Sequence, residues 1–289
     1  MEKYVLKSDF IGSESDLAAE RRRADLNIVG VEFRRDKGDI GSWERLRIRS
    51  EEGARSIGRP MGIYDTLTLP YLCEMDCDEI DDASNEIAKE LCRICDVRGI
   101  CPERILVVGL GNRDMTPDSV GCRCADMTRA TRHIKAEDAR LFYSLECSEI
   151  SVIKPGTRSE SGIDAATVVK GVCDSLHPDV VIAIDALAAG SPARLGNTIQ
   201  VCDTGIHPGS GLGNRRGALN EELLGAPVIG IGVPTVINSR LFVVENGEAR
   251  APSRGEGLFL SPQTVSETVT SAARIIAGGI NQAFGLSEV

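Results

Sequence analysis

Aromatic side chains are scarce in this chain: they make up 4% of the residues and include a single tryptophan. The folding energy must therefore come mainly from buried aliphatic side chains, at roughly 25 cal/mol per Å² of apolar surface. Hydrophobic residues still form 42% of the 289 residues, which is the ordinary balance of a globular protein. This length allows one large domain or two small ones, and the absence of an internal repeat or a linker favours one.

Long apolar runs are also missing. No stretch approaches the ~20 residues of a membrane span, and the N-terminus opens with mixed charges instead of the apolar segment of a secretory signal. We therefore expect a cytoplasmic protein with no membrane partner. In a reducing compartment its ten cysteines should be mostly free thiols.

An excess of positive charge is lacking as well, because the net charge is −10. Proteins that bind nucleic acid neutralise the phosphate backbone with clustered lysine and arginine. The one basic run, residues 21–23, lies among acids and is typical of a solvated face. We expect no direct nucleic-acid partner.

The cysteine spacing raises the question of a thiolate zinc site. Cys73 and Cys77 together with Cys92 and Cys95 have spacings that such sites use. Residues 84–97, however, have the apolar periodicity of a helix, with Cys95 on its apolar face. A packing role is the simpler interpretation, so we expect no metal and no cofactor, and zinc remains the alternative.

Strands and helices alternate along most of the chain. Strands are predicted at 43–48, 63–69, 105–110, 180–184, 198–202 and 228–233, and helices at 51–57, 84–97, 163–176, 219–224, from Pro117 onward and from 261 to about 277. Alternation of this kind predicts a mostly parallel sheet with helices on both faces. The expected fold is a three-layer αβα sandwich in one domain.

Two aspartates follow buried strands of this predicted sheet. Asp185 ends the apolar run 180–184, and Asp118 lies in the first turn of the helix that begins at Pro117. Active sites of parallel sheets lie beyond the carboxyl ends of the strands, so these carboxylates, and a glycine-rich loop at 203–211, are expected to meet there. One carboxylate would act as base toward water while the other, protonated, polarises a carbonyl. A helix cap and a hydrogen-bonded strand end remain the structural alternatives.

Supporting or substrate-binding residues are expected in the two loops beside these aspartates. Asn112 and Thr116 precede Asp118, and His207, Gly209 and Ser210 lie in the glycine-rich loop. Four alternative roles stay open for His207: orienting a carboxylate, contacting substrate, ligating a metal, or making a hydrogen bond within the loop. The loop at 109–111 does not fit a dinucleotide fingerprint, because Asp114 replaces its third glycine.

Three segments resemble the germination proteases of endospore-forming bacteria. They are residues 105–112 followed by Thr116-Pro117-Asp118, residues 178–189, and above all residues 198–238. The resemblance implies a phosphorylase/hydrolase-like α/β fold shared with hydrogenase maturation proteases. It also implies an aspartic-type endopeptidase that degrades small acid-soluble spore proteins during germination. The family's two proposed catalytic aspartates match Asp118 and Asp185.

The resemblance further implies a zymogen that forms a homotetramer in the spore core and removes its own propeptide. The family cuts within a short acidic, apolar, alanine, small, glutamate pattern, which residues 15–20 match. This predicts cleavage between Leu17 and Ala18, with residues 1–17 as propeptide and 18–289 as the peptidase domain. The same residues also have the pattern of a capped helix start.

The chain departs from the family pattern in several places. It is shorter between residues 134 and 141 and after Val236, and the family's Gly-Pro and Ala-Ala-Arg are replaced by Gly121-Cys122 and by residues 188–190. Two alternatives therefore stay open. One is a metal-dependent maturation-type protease of the same fold, with Asp118, Asp185 and His207 as ligands. The other is a catalytically silent peptide-binding protein.

Overall fold

The computed structural model describes residues 29–207, 217–239 and 258–285. Its strands are β1 (Val31–Lys37), β2 (Ser42–Ile48), β3 (Gly62–Thr68), β4 (Arg104–Gly109), β5 (Glu149–Ile153), β6 (Val180–Ala189), β7 (Thr198–Cys202), β8 (Val228–Asn238) and β9 (Phe259–Leu260). Its α-helices are α1 (Glu51–Ile57), α2 (Cys77–Arg98), α3 (Val120–Met127), α4 (Arg132–Glu137), α5 (Ala139–Ser144), α6 (Arg158–Ser161), α7 (Ala165–Leu176), α8 (Glu221–Leu224) and α9 (Val265–Phe284). Short 3₁₀ turns lie at Leu72–Glu74, Thr116–Asp118 and Pro192–Arg194.

The strands of the described residues join in one sheet, in the order β1-β2-β3-β7-β8-β6-β4-β5, with β9 paired to the end of β8. The pairs β8–β6, β6–β4 and β4–β5 are parallel. The pairs on the other side, from β1 to β8 through β7, are antiparallel. The parallel pairing therefore covers one half of a mixed sheet, the half that carries the apolar runs read from the sequence.

Each face of the sheet is covered by helices. Along β6, Val180, Ile182 and Ile184 pack into a first core with α2, α3 and α9. The alternate residues Val181 and Ala183 pack into a second core with α1, α7 and α8. Strands that are apolar on both faces are typical of parallel sheets buried between helices. The expected α/β class with helix, sheet and helix layers is confirmed.

Helix α2 shows how local signals and packing combine. It begins at a capping box, in which the Asp76 side chain accepts from the Glu79 amide and Glu79 accepts from the Asp76 amide. It ends at Gly99 in the left-handed conformation, with φ 65°. Cys95 is buried on its apolar face, as the packing interpretation predicts, whereas Cys92 is exposed. None of the helices in the described part of the chain has the length and apolar character needed to cross a membrane.

A buried cluster of charges attaches α2 to the antiparallel half of the sheet. The side chains of Asp65 on β3 and Glu90 on α2 are almost completely buried. Arg47 donates to both oxygens of Asp65 at 2.5 and 2.9 Å, and Arg93 donates to Asp65 at 2.6 Å and to Glu90 at 3.0 Å. Arg45 bonds to both acids. Such a cluster is stable only while each buried charge keeps its partners.

The pKa values of the two acids in this cluster are shifted in opposite directions, although burial disfavours the ionised form of both. Burial raises the pKa of Glu90 to about 7, and the hydrogen bond and charge of Asp65 add to that effect against the lowering by Arg93 and Arg45. Burial also disfavours ionised Asp65, but hydrogen bonds from Arg47 and Glu90 and the charge of Arg93 outweigh it, so its pKa is lowered. Asp65 therefore holds the negative charge and Glu90 takes up the proton as the pH falls.

Lowering the pH from 8 to 5 is expected to increase stability through Glu90. Its pKa rises on folding from 4.5 to about 7, so the folded protein binds a proton that the unfolded chain has already released. This contribution is fully present below about pH 4.5 and is lost as the pH rises through about 7. We expect about 1–3 kcal/mol in the free energy of unfolding, measured by urea titration at several pH values.

Glu90→Gln should flatten this pH dependence, because the amide does not titrate. The exposed Glu103→Gln is the control and should keep the wild-type slope. The pKa of Asp65 is lowered from 3.8, so its contribution to stability stays constant across this pH range and is lost only at lower pH. An unchanged slope in Glu90→Gln would contradict the assignment to Glu90.

Candidate active site at the carboxyl edge of the parallel strands

Asp185 is a buried carboxylate within β6. It is 4% exposed, and its Oδ1 accepts the Ala186 amide at 3.0 Å. The strand continues to Ala189, so Asp185 does not end it as the sequence suggested. Because β4 ends at Gly109, opposite Ile184, Asp185 nevertheless lies just beyond the end of the neighbouring parallel strand.

Asp118 lies in a turn that precedes a helix. The residue pattern predicts that Asp118 lies in the first turn of a helix starting at Pro117, but Thr116–Asp118 forms a separate 3₁₀ turn and α3 begins at Val120. The break falls at Ser119, whose backbone departs from α geometry and whose hydroxyl donates to Thr116 O at 2.9 Å. Asp118 is half-buried and therefore reachable from solvent.

The loop before Asp118 closes back on it. The Asn112 amide donates to Asp118 Oδ2 at 2.9 Å and to Asp118 O at 3.1 Å. Gly111 has φ +96°, and a Cβ there would lie 2.0 Å from Asp118 O and 3.3 Å from its carboxyl carbon. A residue with a side chain does not fit this approach. Asn112 and Thr116 thus support the shape of the loop, since the Asn112 Oδ1 accepts the Asp114 amide at 2.8 Å.

These contacts bring the two aspartates to one edge of the sheet. The Leu110 amide donates to Ile184 O at 2.8 Å, so the residue before Gly111 is bonded to the residue before Asp185. The start of α3 lies against this junction, where a Cβ on Gly121 would lie 2.4 Å from Ile184 O. The 3₁₀ turn that carries Asp118 also contacts both β6 and β8. The backbone of the turn that carries Asp118 therefore lies against β6 close to Asp185.

Two polar residues that the sequence analysis missed lie in the same row of the sheet as Asp185. Asp185 pairs with Gly232, Gly232 with Gln200, and Gln200 with Thr66. Gln200 and Thr66 are both buried, and residues paired across a row share a face of the sheet. The sequence signal that could have identified such residues is a polar side chain between the apolar residues of a predicted buried strand.

His207 does not leave the sheet at the edge where Asp185 lies. Strand β7 runs antiparallel to β8, so its last residue, Cys202, pairs with Gly230 and not beyond Gly232. The chain then forms a bridge between Ile206 and Leu219 on the second core, and His207 follows it as an exposed residue. The expectation that this loop starts at the carboxyl edge assumed a parallel β7 and is wrong on that point.

Four residues of the predicted sites lie outside the described residues. They are Leu17 and Ala18 of the processing site and Gly209 and Ser210 of the glycine-rich loop. Within the described ranges, no three side chains of histidine, cysteine, aspartate or glutamate are grouped to hold a metal ion. All ten cysteines are free thiols.

The fold and this edge define an α/β sandwich protein with one aspartate within its central strand β6 and a second in the turn that follows the neighbouring parallel strand β4. The family model described as germination protease matches residues 11–246. A germination protease of Caldanaerobacter subterraneus subsp. tengcongensis is 40% identical over 231 residues, or 79% of this chain and 70% of the relative. One from Clostridium perfringens is 30% identical over 313 residues, covering 96% of this chain and 94% of the relative.

A third germination protease, from Bacillus cytotoxicus, is 35% identical over 243 residues, covering 83% of this chain and 65% of the relative. The chain belongs to the germination protease family. Membership makes it a peptidase, and so a hydrolase, with a function in spores. Among solved structures, a NiFe hydrogenase maturation protease from Thermococcus kodakarensis matches with 19% identity and a TM-score of 0.35, over 61% of this chain and 92% of that one.

Gly111→Ala is expected to displace the Asp118 turn. The new Cβ would overlap Asp118 O, and the backbone would keep a left-handed φ. Together these effects should lower the free energy of unfolding by about 3 kcal/mol or more in a urea titration. The matched control is Gly58→Ala, where φ is +74° with no atom within 4 Å of the Cβ. It should lose only about 1–2 kcal/mol, and equal losses would contradict the close approach at Gly111.

Proposed function

We propose that this peptidase is an endopeptidase made as a self-processing zymogen, which degrades small acid-soluble spore proteins with Asp118 and Asp185 as its catalytic pair. The observation that carries the proposal is the approach of the Asp118 loop to β6. Its Leu110 amide bonds to Ile184 O at 2.8 Å, one residue before Asp185. In the family resemblance, the matching aspartates have the same role.

The two carboxylates have different surroundings, as an acid and a base acting together require. Asp185 is buried on a strand whose neighbours fix its backbone. Asp118 is half-buried and accepts an amide hydrogen bond. One of them takes a proton from the attacking water while the other, protonated, donates to the oxygen of the scissile carbonyl. The product amine receives the proton as the peptide bond breaks.

Self-processing is proposed between Leu17 and Ala18, which frees residues 18–289 as the active enzyme. Residues 15–20 read Ser-Asp-Leu-Ala-Ala-Glu, and an enzyme that recognises this pattern in a substrate would also recognise it in its own chain. The proposal includes a homotetramer in the cytoplasm of the spore core, as the resemblance implies. Light scattering on the purified protein tests the oligomeric state.

Asp118→Asn and Asp185→Asn are expected to slow self-processing and peptide cleavage together, to a small residual rate. An amide neither accepts nor releases the catalytic proton, and acid–base catalysis contributes about 10²–10⁴-fold to a rate. Purified full-length protein is held under mildly acidic conditions, and the products are sequenced from their N-termini. Wild type should yield Ala18 as a new N-terminus and cut a peptide from a small acid-soluble spore protein.

Asp114→Asn is the matched control, because Asp114 is an exposed carboxylate in the same loop. It should process and cut at the wild-type rate. Full activity in either of the other two variants would remove that residue from the mechanism. Peptide binding without turnover in wild type would instead support the silent peptide-binding alternative.

A further inference from the structure

The strand β8 contains an irregularity directly beside the Asp118 turn. In the pairing of β6 with β8, Leu187 is opposite Pro234 but Ala188 is opposite Val236. Thr235 is therefore an extra residue, a β-bulge between two regularly paired positions. Bulges bend a strand and redirect a side chain, and they are common next to active sites.

The redirected side chain of Thr235 reaches the Asp118 turn. Thr235 is 1% exposed, and its hydroxyl donates to Pro117 O at 2.6 Å. Pro117 O belongs to the peptide group whose nitrogen is that of Asp118. Because this group is planar, holding its oxygen also sets the position of the Asp118 backbone.

We propose that Thr235 is a positioning residue for Asp118, a role that rests on the proposed function of Asp118 as a catalytic group. Strand β8 also holds Asp185 in register, since Asp185 pairs with Gly232 three residues before Thr235. Strand β8 thus pairs with the strand that carries Asp185 and bonds to the turn that carries Asp118. The bonds from Asn112 and Ser119 shape the turn from within its own loop, whereas the bond from Thr235 ties it to the sheet.

The proposal is tested with Thr235→Val, which keeps the shape of the side chain and removes the donor. We expect the kcat for a spore-protein peptide to fall about 10-fold or more with little change in KM, because small displacements of a catalytic group slow the chemical step. Thr235→Ser keeps the hydroxyl and should retain at least about a third of the wild-type kcat. Amide hydrogen exchange at Asn112 and Asp118 should be faster in Thr235→Val than in Thr235→Ser.

Thr198→Val is the matched control for the loss of a buried strand hydroxyl. Thr198 on β7 is also 1% exposed and donates to Arg194 O at 3.3 Å. This variant should keep the wild-type kcat and the wild-type exchange at Asn112 and Asp118. A similar fall in kcat there would assign the effect of Thr235→Val to a general loss of structure and overturn the proposal.

A double variant separates the role of Thr235 from the role of Asp118. If Thr235 acts through Asp118, Thr235→Val should lower the residual rate of Asp118→Asn no further. If Thr235→Val keeps the wild-type kcat while Asp118→Asn is strongly slowed, the positioning role of Thr235 is overturned and the proposed role of Asp118 stands. Full activity in Asp118→Asn would overturn the proposed function and, with it, positioning through Asp118. Unchanged amide exchange in Thr235→Val would overturn the anchoring of the turn, whatever the rates.

Discussion

The parallel pairing of β6 with β4 on one side and with β8 on the other holds the candidate site in place. Both neighbours bring a part of the site to the same level of β6. The chain leaving β4 bonds to Ile184 O and then turns at Gly111 toward Asp118. Strand β8 places Gly232 beside Asp185 and, at its bulge, Thr235 beside Pro117. Asp185 is thereby held within a central strand, and the loop that carries Asp118 is bonded to both neighbouring strands of the same sheet.

Both halves of the sheet contribute residues to the two apolar cores, and the antiparallel half carries a buried charge cluster in addition. The parallel half is buried between two apolar cores and needs little beyond close packing of aliphatic side chains. The antiparallel half is joined to α2 through buried carboxylates and guanidinium groups. Polar clusters of this kind contribute less to stability than an apolar core but permit few alternative arrangements. The antiparallel strands therefore keep a defined position although few aromatic side chains are available to fill the space.

Much of the architecture could be predicted from residue patterns. Helix α1 was predicted to its exact ends, since Ser50 caps its start and Gly58 ends it in a left-handed conformation. The strands that carry the site were found as apolar runs, which is how strands buried on both faces read. Strand β1 was missed because its Arg34-Arg35-Asp36-Lys37 sequence is charged, as on a solvated edge. The direction of β7 was also missed, because periodicity reports which faces are buried and not which way a strand runs.

The site was predictable in part for the same reasons. Apolar runs drew attention to Asp118 and Asp185 and to an acid–base pair, but only the family resemblance favoured that role over a helix cap and a hydrogen-bonded strand residue. A one-residue bulge leaves no mark in composition or periodicity, so Thr235 could be recognised only from the pairing of β6 with β8. The 3₁₀ turn before α3 was read as helix because proline is also favoured at the first position of an α-helix.

The charge cluster beneath α2 also constrains how this sequence can change over time. Arg45, Arg47 and Arg93 share Asp65 and Glu90, and Arg45 also reaches Asp36 on β1. Replacing Asp65, which all three arginines contact, would leave Arg47 without its carboxylate partner, and breaking a buried ion pair in this way typically costs about 3–5 kcal/mol. Substitutions at these positions should therefore be accepted in compensating sets. Relatives that have lost one member of the cluster should have altered its partners as well, so that the cluster is inherited or replaced as a unit.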